Sequence, residues 1–188
     1  MPVVTIHLIE GYDEETRRRL GTALTNAVAG VLDAPPDGIT VMMPEMDPAS
    51  YMRGGRPRQP GTPRPDPAEL VQSFLTTMEA RDLDTARAML APGFTMTFPG
   101  PQRMTTLEEL VAWSQPRYRF VTKTYARFDS LQDGQTSVCY CFGTLSGEWL
   151  DGTPFADIRF IDRFEIEGGR FTRQDVWNDM AEAKARGA

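Results

Sequence analysis

Five prolines, Pro57, Pro60, Pro63, Pro65 and Pro67, fall within eleven residues just after Gly54-Gly55. Proline fixes φ and carries no backbone N–H, so neither a helix nor a central strand passes through such a stretch. It favours an extended, semi-stiff spacer. The chain is therefore expected to divide into a first domain over 1–55, a proline-rich linker over 56–67 and a second domain over 68–188. The flanking segments support the division, because their hydrophobic patterns differ.

Before the linker, residues 3–9 alternate as a strand and end at Gly11. Asp13 reads as a helix N-cap, with Glu14 and Glu15 in the first turn. Leu20, Ala23, Leu24, Ala27, Val28 and Val31 then recur at helical spacing and define one apolar face. Pro35-Pro36-Asp37-Gly38 stops that helix, and 39–43 is a second apolar strand. The result is a β-α-β unit, whose crossover requires parallel strands. One helix cannot cover both faces of the sheet, and a core this small is marginal without staples. The first domain is expected to bury its surface against copies of itself, as a homo-oligomer.

After the linker, helices come first, at 68–80, 85–90 and 107–113, with a short strand at 94–98. Long strands follow at 118–129, 135–149, 155–167 and 171–177. Asp133-Gly134, Asp151-Gly152 and Gly168-Gly169 supply the hairpin turns between them. This is an α+β pattern: helices packed on a curved antiparallel sheet, giving a cone-shaped barrel with an apolar pocket.

Composition limits the chemistry. One histidine, His7, and two cysteines, Cys139 and Cys141, leave almost nothing for a multi-ligand metal site, and no metal or other cofactor is expected. Spacing of i and i+2 fits neither a metal knuckle nor a redox pair. A net charge of −6 and a pI near 4.9 argue against a nucleic-acid partner. No window has the length of a membrane span, and no secretory pattern opens the chain, so the expected location is the cytoplasm. The available reagents are carboxylates, phenols, arginines and the N-terminus.

Pro2 is one candidate. Removal of Met1 would expose a secondary amine, which can serve as a general base near neutral pH; the plain alternative is a proline opening an edge strand. The run 2–11, from Pro2-Val3-Val4 to Glu10-Gly11, together with Leu32-Asp33-Ala34-Pro35, Glu45-Met46 and Gly54-Gly55, closely resembles the 4-oxalocrotonate tautomerase family. That resemblance implies a short β-α-β unit that assembles with others, as a dimer, trimer or hexamer. It implies Pro2 as the base and Tyr51 as an aromatic wall of the site. The family's two substrate-binding arginines fall on Tyr12 and Thr40, and Arg53, near the expected rim, is a candidate replacement that no motif supports. His7, opposite Val4, Ile6 and Leu8, reads as structural.

Asp162 is the other candidate. Along 155–167 the even positions are Ala156, Ile158, Phe160, Asp162, Phe164 and Ile166, while the odd ones include Asp157, Arg159, Arg163, Glu165 and Glu167. Side chains alternate between the faces of a strand, so a single carboxyl group stands on an otherwise apolar face. Burial raises a carboxyl pKa, and a carboxylic acid kept protonated can donate to an oxyanion. The alternative is a buried aspartate paired with an arginine or with backbone amides. Val71-Gln72-Ser73-Phe74, Ala80-Arg81-Asp82-Leu83-Asp84, Phe94-Thr95-Met96 and Ile161-Asp162-Arg163-Phe164 are similar to the nuclear transport factor 2-like superfamily. Within it, the likeness is to SnoaL-like polyketide cyclases and ketosteroid isomerase. This implies that Asp162 matches the isomerase's hydrogen-bonding acid, whereas its tyrosine and base aspartate fall on Phe74 and Phe98.

The pocket of the second domain is expected to be lined by Phe74, Phe98, Trp113, Tyr118, Phe160 and Trp177, around Asp162. Asp175 and Asp179 are further carboxylates near the last strand. Aromatic walls with few polar groups suit a hydrophobic small molecule. The expected protein is a cofactor-independent isomerase, tautomerase or cyclase that moves protons next to a carbonyl, in secondary metabolism. A non-catalytic small-molecule-binding protein, with the first half as oligomerisation module, is the alternative.

Overall fold

The structure, a computed structural model, describes residues 1–100 and 102–187. Two compact units divide the chain, Met1–Pro63 and Arg64–Ala188.

In the first unit β1 (Val3–Thr5) and β2 (Leu8–Ile9) precede the helix α1 (Glu14–Ala29). Next come β3 (Thr40–Met42) and β4 (Glu45–Met46). β1 pairs with β3 and β2 with β4, both in parallel, as a β-α-β crossover demands. The single strand expected over 3–9 is thus two short ones, although Ile6 N–H donates to Met42 and Leu8 N–H to Pro44 between them. Pro44 has no N–H to return to the ladder, which interrupts the pairing there. Asp13 caps α1 by accepting from Thr16 N–H at 2.7 Å.

Gly54-Gly55, expected to close this unit, is the turn of a hairpin between β5 (Met52–Arg53) and β6 (Arg56–Pro57). Both glycines have positive φ, 62° and 71°, as a two-residue turn of mirror-image type requires. Part of the stretch expected as linker therefore pairs as strand. At its other end Pro67 occupies the first turn of α2 (Pro67–Glu79), behind the N-cap Asp66, where a missing N–H costs nothing.

The second unit continues with α3 (Leu83–Ala88), β7 (Leu90–Thr97), β8 (Arg103–Met104) and α4 (Leu107–Ser114). Its long strands are β9 (Tyr118–Asp133), β10 (Thr136–Trp149), β11 (Pro154–Glu167) and β12 (Arg170–Asn178), followed by α5 (Met180–Ala185). The sheet runs β8-β7-β12-β11-β10-β9. β9 to β12 form the expected antiparallel meander, while β7 joins β12 in parallel. The α+β class read from the sequence is the class observed. Val71, Phe74 and Leu75 of α2 pack into one core with Phe94, Cys139, Cys141, Phe164 and Phe171 of the sheet.

Irregularities in the strands decide which side chains reach that core. In β11, Phe155 is buried and Ala156 exposed, reversing the expected alternation at its start. Asp157 has φ of 57°, and the pairing with β10 shifts register beside it, so an extra residue is absorbed there. In β10 the register against β9 slips at Phe142/Gly143. A Cβ on Gly143 would lie 2.0 Å from the Thr124 carbonyl oxygen of the neighbouring backbone. Gly143→Ala must therefore push β9 and β10 apart, and overpacking of this kind costs about 1–3 kcal/mol. A clear fall in the urea midpoint is expected; an unchanged midpoint would show that the strands yield freely.

Candidate functional site

Beyond the bulge at Asp157, β11 alternates cleanly. Ile158, Phe160, Asp162, Phe164 and Ile166 are all buried, and Asp162 has no exposed surface at all. Its partner is neither an arginine nor a backbone amide. Lys123 Nζ, from the inward face of β9, forms an ion pair with Asp162 Oδ2. The same ammonium stands 4.5 Å from the centre of the Phe160 ring. Asp162 Oδ1 is buried with no hydrogen-bond partner among the described residues. Burial pushes the Asp162 carboxyl above its ordinary pKa; the Lys123 charge and hydrogen bond oppose that rise, as does the nearby Gln174 side chain.

These groups sit in an apolar enclosure. A cavity of about 290 Å³ is lined by Phe74, Met78, Phe98, Tyr118, Lys123 and Tyr125, with Gln174 among its few polar walls. A narrower recess of about 50 Å³ shares Phe98, Tyr118, Val121 and Lys123 with it, and adds Trp113, Phe160 and Asp162. Burial raises the pKa of the Tyr118 phenol, with the neighbouring Ser114 side chain opposing. The Cys139 and Cys141 thiols are pushed up to about 12 by burial, which leaves them as core side chains without thiolate reactivity. Among the described residues no group of three or more His, Cys, Asp or Glu side chains is placed to hold a metal ion.

Five of the six aromatics expected around the pocket therefore meet there. Trp177 does not. It is 54% exposed and lies on the outer face of the sheet, opposite Ile161 across the β11–β12 pair. From the buried Phe171, simple alternation would bring Trp177 inward. The register slips beside Thr172, with Ile166 facing Phe171 but Glu165 facing Arg173, so the inward parity passes to Gln174 and Val176. Asp175 and Asp179 are structural: Asp175 accepts from Arg173 at 2.8 Å, and Asp179 pairs with Arg159 at 2.6 Å.

Lys123, Tyr125 and Gln174 were missed. Val121, Lys123 and Tyr125 follow one another at period two, and Lys123 is one of only two lysines in an arginine-rich chain. That alternation was the available signal; the partnership with Asp162, 39 residues away, was not.

In the first unit Pro2 and Thr40 are adjacent, Thr40 N–H donating to the Pro2 carbonyl at 3.1 Å. The Tyr12 hydroxyl accepts from Gly61 N–H at 3.0 Å. Tyr51 accepts from Arg58 N–H beside the hairpin, and Arg53 is exposed within it. Among the described residues no hydrogen bond or ion pair joins Tyr12, Tyr51 or Arg53 to Pro2. His7 is exposed on the face opposite Val4 and Ile6.

Comparison with known proteins agrees with both halves. Residues 71–174 match the family model described as SnoaL-like domain, and residues 2–58 match that described as Tautomerase enzyme. The chain belongs to the SnoaL-like family and carries a tautomerase unit before it. The "Probable tautomerase" of Bacillus cereus is 38% identical over 56 residues, which are 30% of this chain and 92% of that protein. A protein of the same description from Halalkalibacterium halodurans matches over the same shares at the same identity. A nuclear transport factor 2-like protein from Burkholderia pseudomallei shares the second fold, at 20% identity and a TM-score of 0.52, over 63% of this chain and 94% of that one. TerC, co-crystallised with polyporic acid, does so at 16% identity and a TM-score of 0.53, over 63% and 95%. The first half thus falls in a family of tautomerase enzymes, and the second in the family of SnoaL-like domains. Among the described residues no helix is long and apolar enough to cross a membrane.

The raised pKa of Asp162 has a thermodynamic signature. The folded chain keeps a proton that the unfolded chain releases above the ordinary value of 3.8, so stability from this group is full below that pH and is lost as pH rises through the folded value. In urea titrations from about pH 4 upward, Asp162→Asn is expected to gain on the wild type as pH rises. A gap that is constant, or that moves the other way, would contradict the assignment.

Proposed function

We propose that the second unit catalyses proton transfer next to a carbonyl on a hydrophobic substrate, with Asp162 as the base. The observation that carries this is the asymmetric state of one carboxyl group. Oδ2 is held by Lys123, while Oδ1 is buried with no hydrogen-bond partner among the described residues, and Asp162 is one of the residues lining the narrower recess. Such an oxygen takes a proton from a carbon acid more readily than a solvated carboxylate does, because burial disfavours its charge.

The charge balance explains why the pair is useful. Asp162 Oδ1 removes a proton from the carbon next to the carbonyl, and the electron pair moves onto the carbonyl oxygen. Negative charge leaves the aspartate and appears on the enolate, while the Lys123 ammonium stays between them. One ion pair is exchanged for another, so the low-dielectric interior never holds an unpaired charge. Return of the proton to a different carbon completes an isomerisation. Attack of the enolate on a second carbonyl of the same molecule completes a cyclisation. The aromatic walls favour a flat, apolar substrate, and TerC, of similar fold, was co-crystallised with a small molecule, polyporic acid.

A second reading places a base at Pro2, favoured by the tautomerase match that begins on this residue. With Met1 attached its nitrogen is an amide, so this reading needs Met1 removed. Exchange of deuterium from heavy water into the acidic methylene of β-tetralone tests both. Asp162→Asn is expected to slow exchange by about two orders of magnitude or more, while Pro2→Ala leaves it unchanged. The opposite pattern, with Met1 shown absent by mass spectrometry, would assign the chemistry to Pro2.

We further propose that the first unit assembles copies of the chain. None of the residues of α1 is fully buried, and Ile39 is the one buried apolar side chain of the unit among the described residues. Val3 and Met42, on the face turned away from Val4 and Val41, are 58% and 46% exposed. Val3→Asp or Met42→Asp should lower the mass that light scattering measures for the full-length protein. An unchanged mass would move the contact elsewhere.

A further inference from the structure

Eighteen of the twenty basic side chains are arginine, and Lys123 and Lys184 are the exceptions. The residue set against the buried Asp162 is one of those two. As a counter-charge alone, arginine serves better, because its planar guanidinium meets a carboxylate through two parallel hydrogen bonds and satisfies both oxygens. Lys123 engages Oδ2 and leaves Oδ1 buried with no hydrogen-bond partner among the described residues. What lysine offers and arginine does not is a nitrogen that can give up its proton and become a nucleophile.

The surroundings of Lys123 suit that use. Its side chain lines both the cavity of about 290 Å³ and the narrower recess, within reach of a molecule bound in either. Phe74, Phe98 and Val121 wall the same cavity and limit the water that would hydrolyse an imine. Nζ stands 4.5 Å from the centre of the Phe160 ring, whose face favours a positive charge there, and Asp162 favours the same charge. An iminium nitrogen keeps the charge of the ammonium it replaces, so both interactions continue to act on it.

We infer that Lys123 is a Schiff-base lysine, which forms a covalent iminium with apolar aldehydes and ketones that enter the cavity. A proton of Nζ passes along its hydrogen bond to Asp162, and the nitrogen lone pair attacks the carbonyl carbon. A second amine proton moves to the former carbonyl oxygen, giving a neutral carbinolamine. Asp162 returns its proton to that hydroxyl, which leaves as water while the nitrogen lone pair closes the C=N bond. Positive charge is again on the lysine nitrogen and negative charge on the aspartate, as before the reaction. Burial, which holds the Asp162 carboxyl above its ordinary pKa, suits it to hold the proton in the meantime. This activity goes beyond the proton-transfer reading, in which Lys123 acts through its charge alone. The two meet in one further step: an iminium draws electrons more strongly than a carbonyl, so Asp162 can remove the adjacent carbon proton to leave an enamine.

The test incubates the full chain with β-tetralone and sodium cyanoborohydride, whose hydride reduces the iminium to a stable secondary amine. Peptide mapping by mass spectrometry then places the label. Lys184, exposed on α5, is the internal reference for an ordinary lysine. Lys123 is expected to be labelled about tenfold or more faster than Lys184, because the carbonyl is held beside its nitrogen. A lysine that served only as a buried counter-charge would react more slowly than an exposed one. Lys123→Arg, which keeps a positive charge beside Asp162, should reduce labelling to the slow rate of Lys184. Labelling of Lys123 no faster than that of Lys184, or labelling confined to the N-terminal peptide, would overturn the inference. Labelling at Lys123 without deuterium exchange into β-tetralone would leave the covalent site standing while the proton-transfer reading falls. Exchange with Lys123 unlabelled would do the reverse.

Discussion

A carboxyl group with no exposed surface, held against one ammonium, is the constraint around which the second unit is organised. Taking a carboxylate out of water costs several kcal/mol even after relaxation, and only a counter-charge in contact recovers most of it. Lys123 supplies that charge from β9, two strands away from Asp162 on β11, with β10 between them. The sheet must therefore keep its register across three strands for the pair to form. In exchange, one carboxylate oxygen is buried with no hydrogen-bond partner among the described residues, a poor arrangement for stability and, on the proposed function, a good one for moving protons.

Register is managed by local irregularities rather than by regular pleating. Gly143 and Gly147 let β10 lie against β9, since a Cβ at either would fall within 2.0 or 2.2 Å of a β9 carbonyl oxygen. The bulge near Asp157 sets Phe155 and Ile158 inward together. The slip beside Thr172 turns Gln174 and Val176 toward the core and Trp177 away. Each inserts a single residue, and each reverses the faces of everything that follows in its strand. The contents of the cavity depend on these few positions as much as on the residues lining it.

The two units solve the problem of burial differently. The second encloses a continuous core of its own. The first leaves apolar residues on both its helix and its sheet partly in solvent. On the assembly proposed above, such a unit would multiply copies of the second domain's site.

Element type and order were legible in the sequence because they rest on local rules. The N-cap at Asp13, the proline stop after α1 and the Asp-Gly and Gly-Gly hairpin turns each act over a few residues and are found where those rules put them, while the period-two strands follow them only between bulges. The lone carboxyl on the apolar face of β11 was legible for the same reason. The counter-charge was not, because Lys123 is 39 residues away and alternation within one strand says nothing about which neighbour it meets. Trp177 was misplaced because a bulge leaves no period of its own in a short strand. By itself the sequence determined two families, the order of elements and a buried acid. Only the tertiary structure decided what that acid touches, since an ion pair across three strands depends on a register that no single strand encodes.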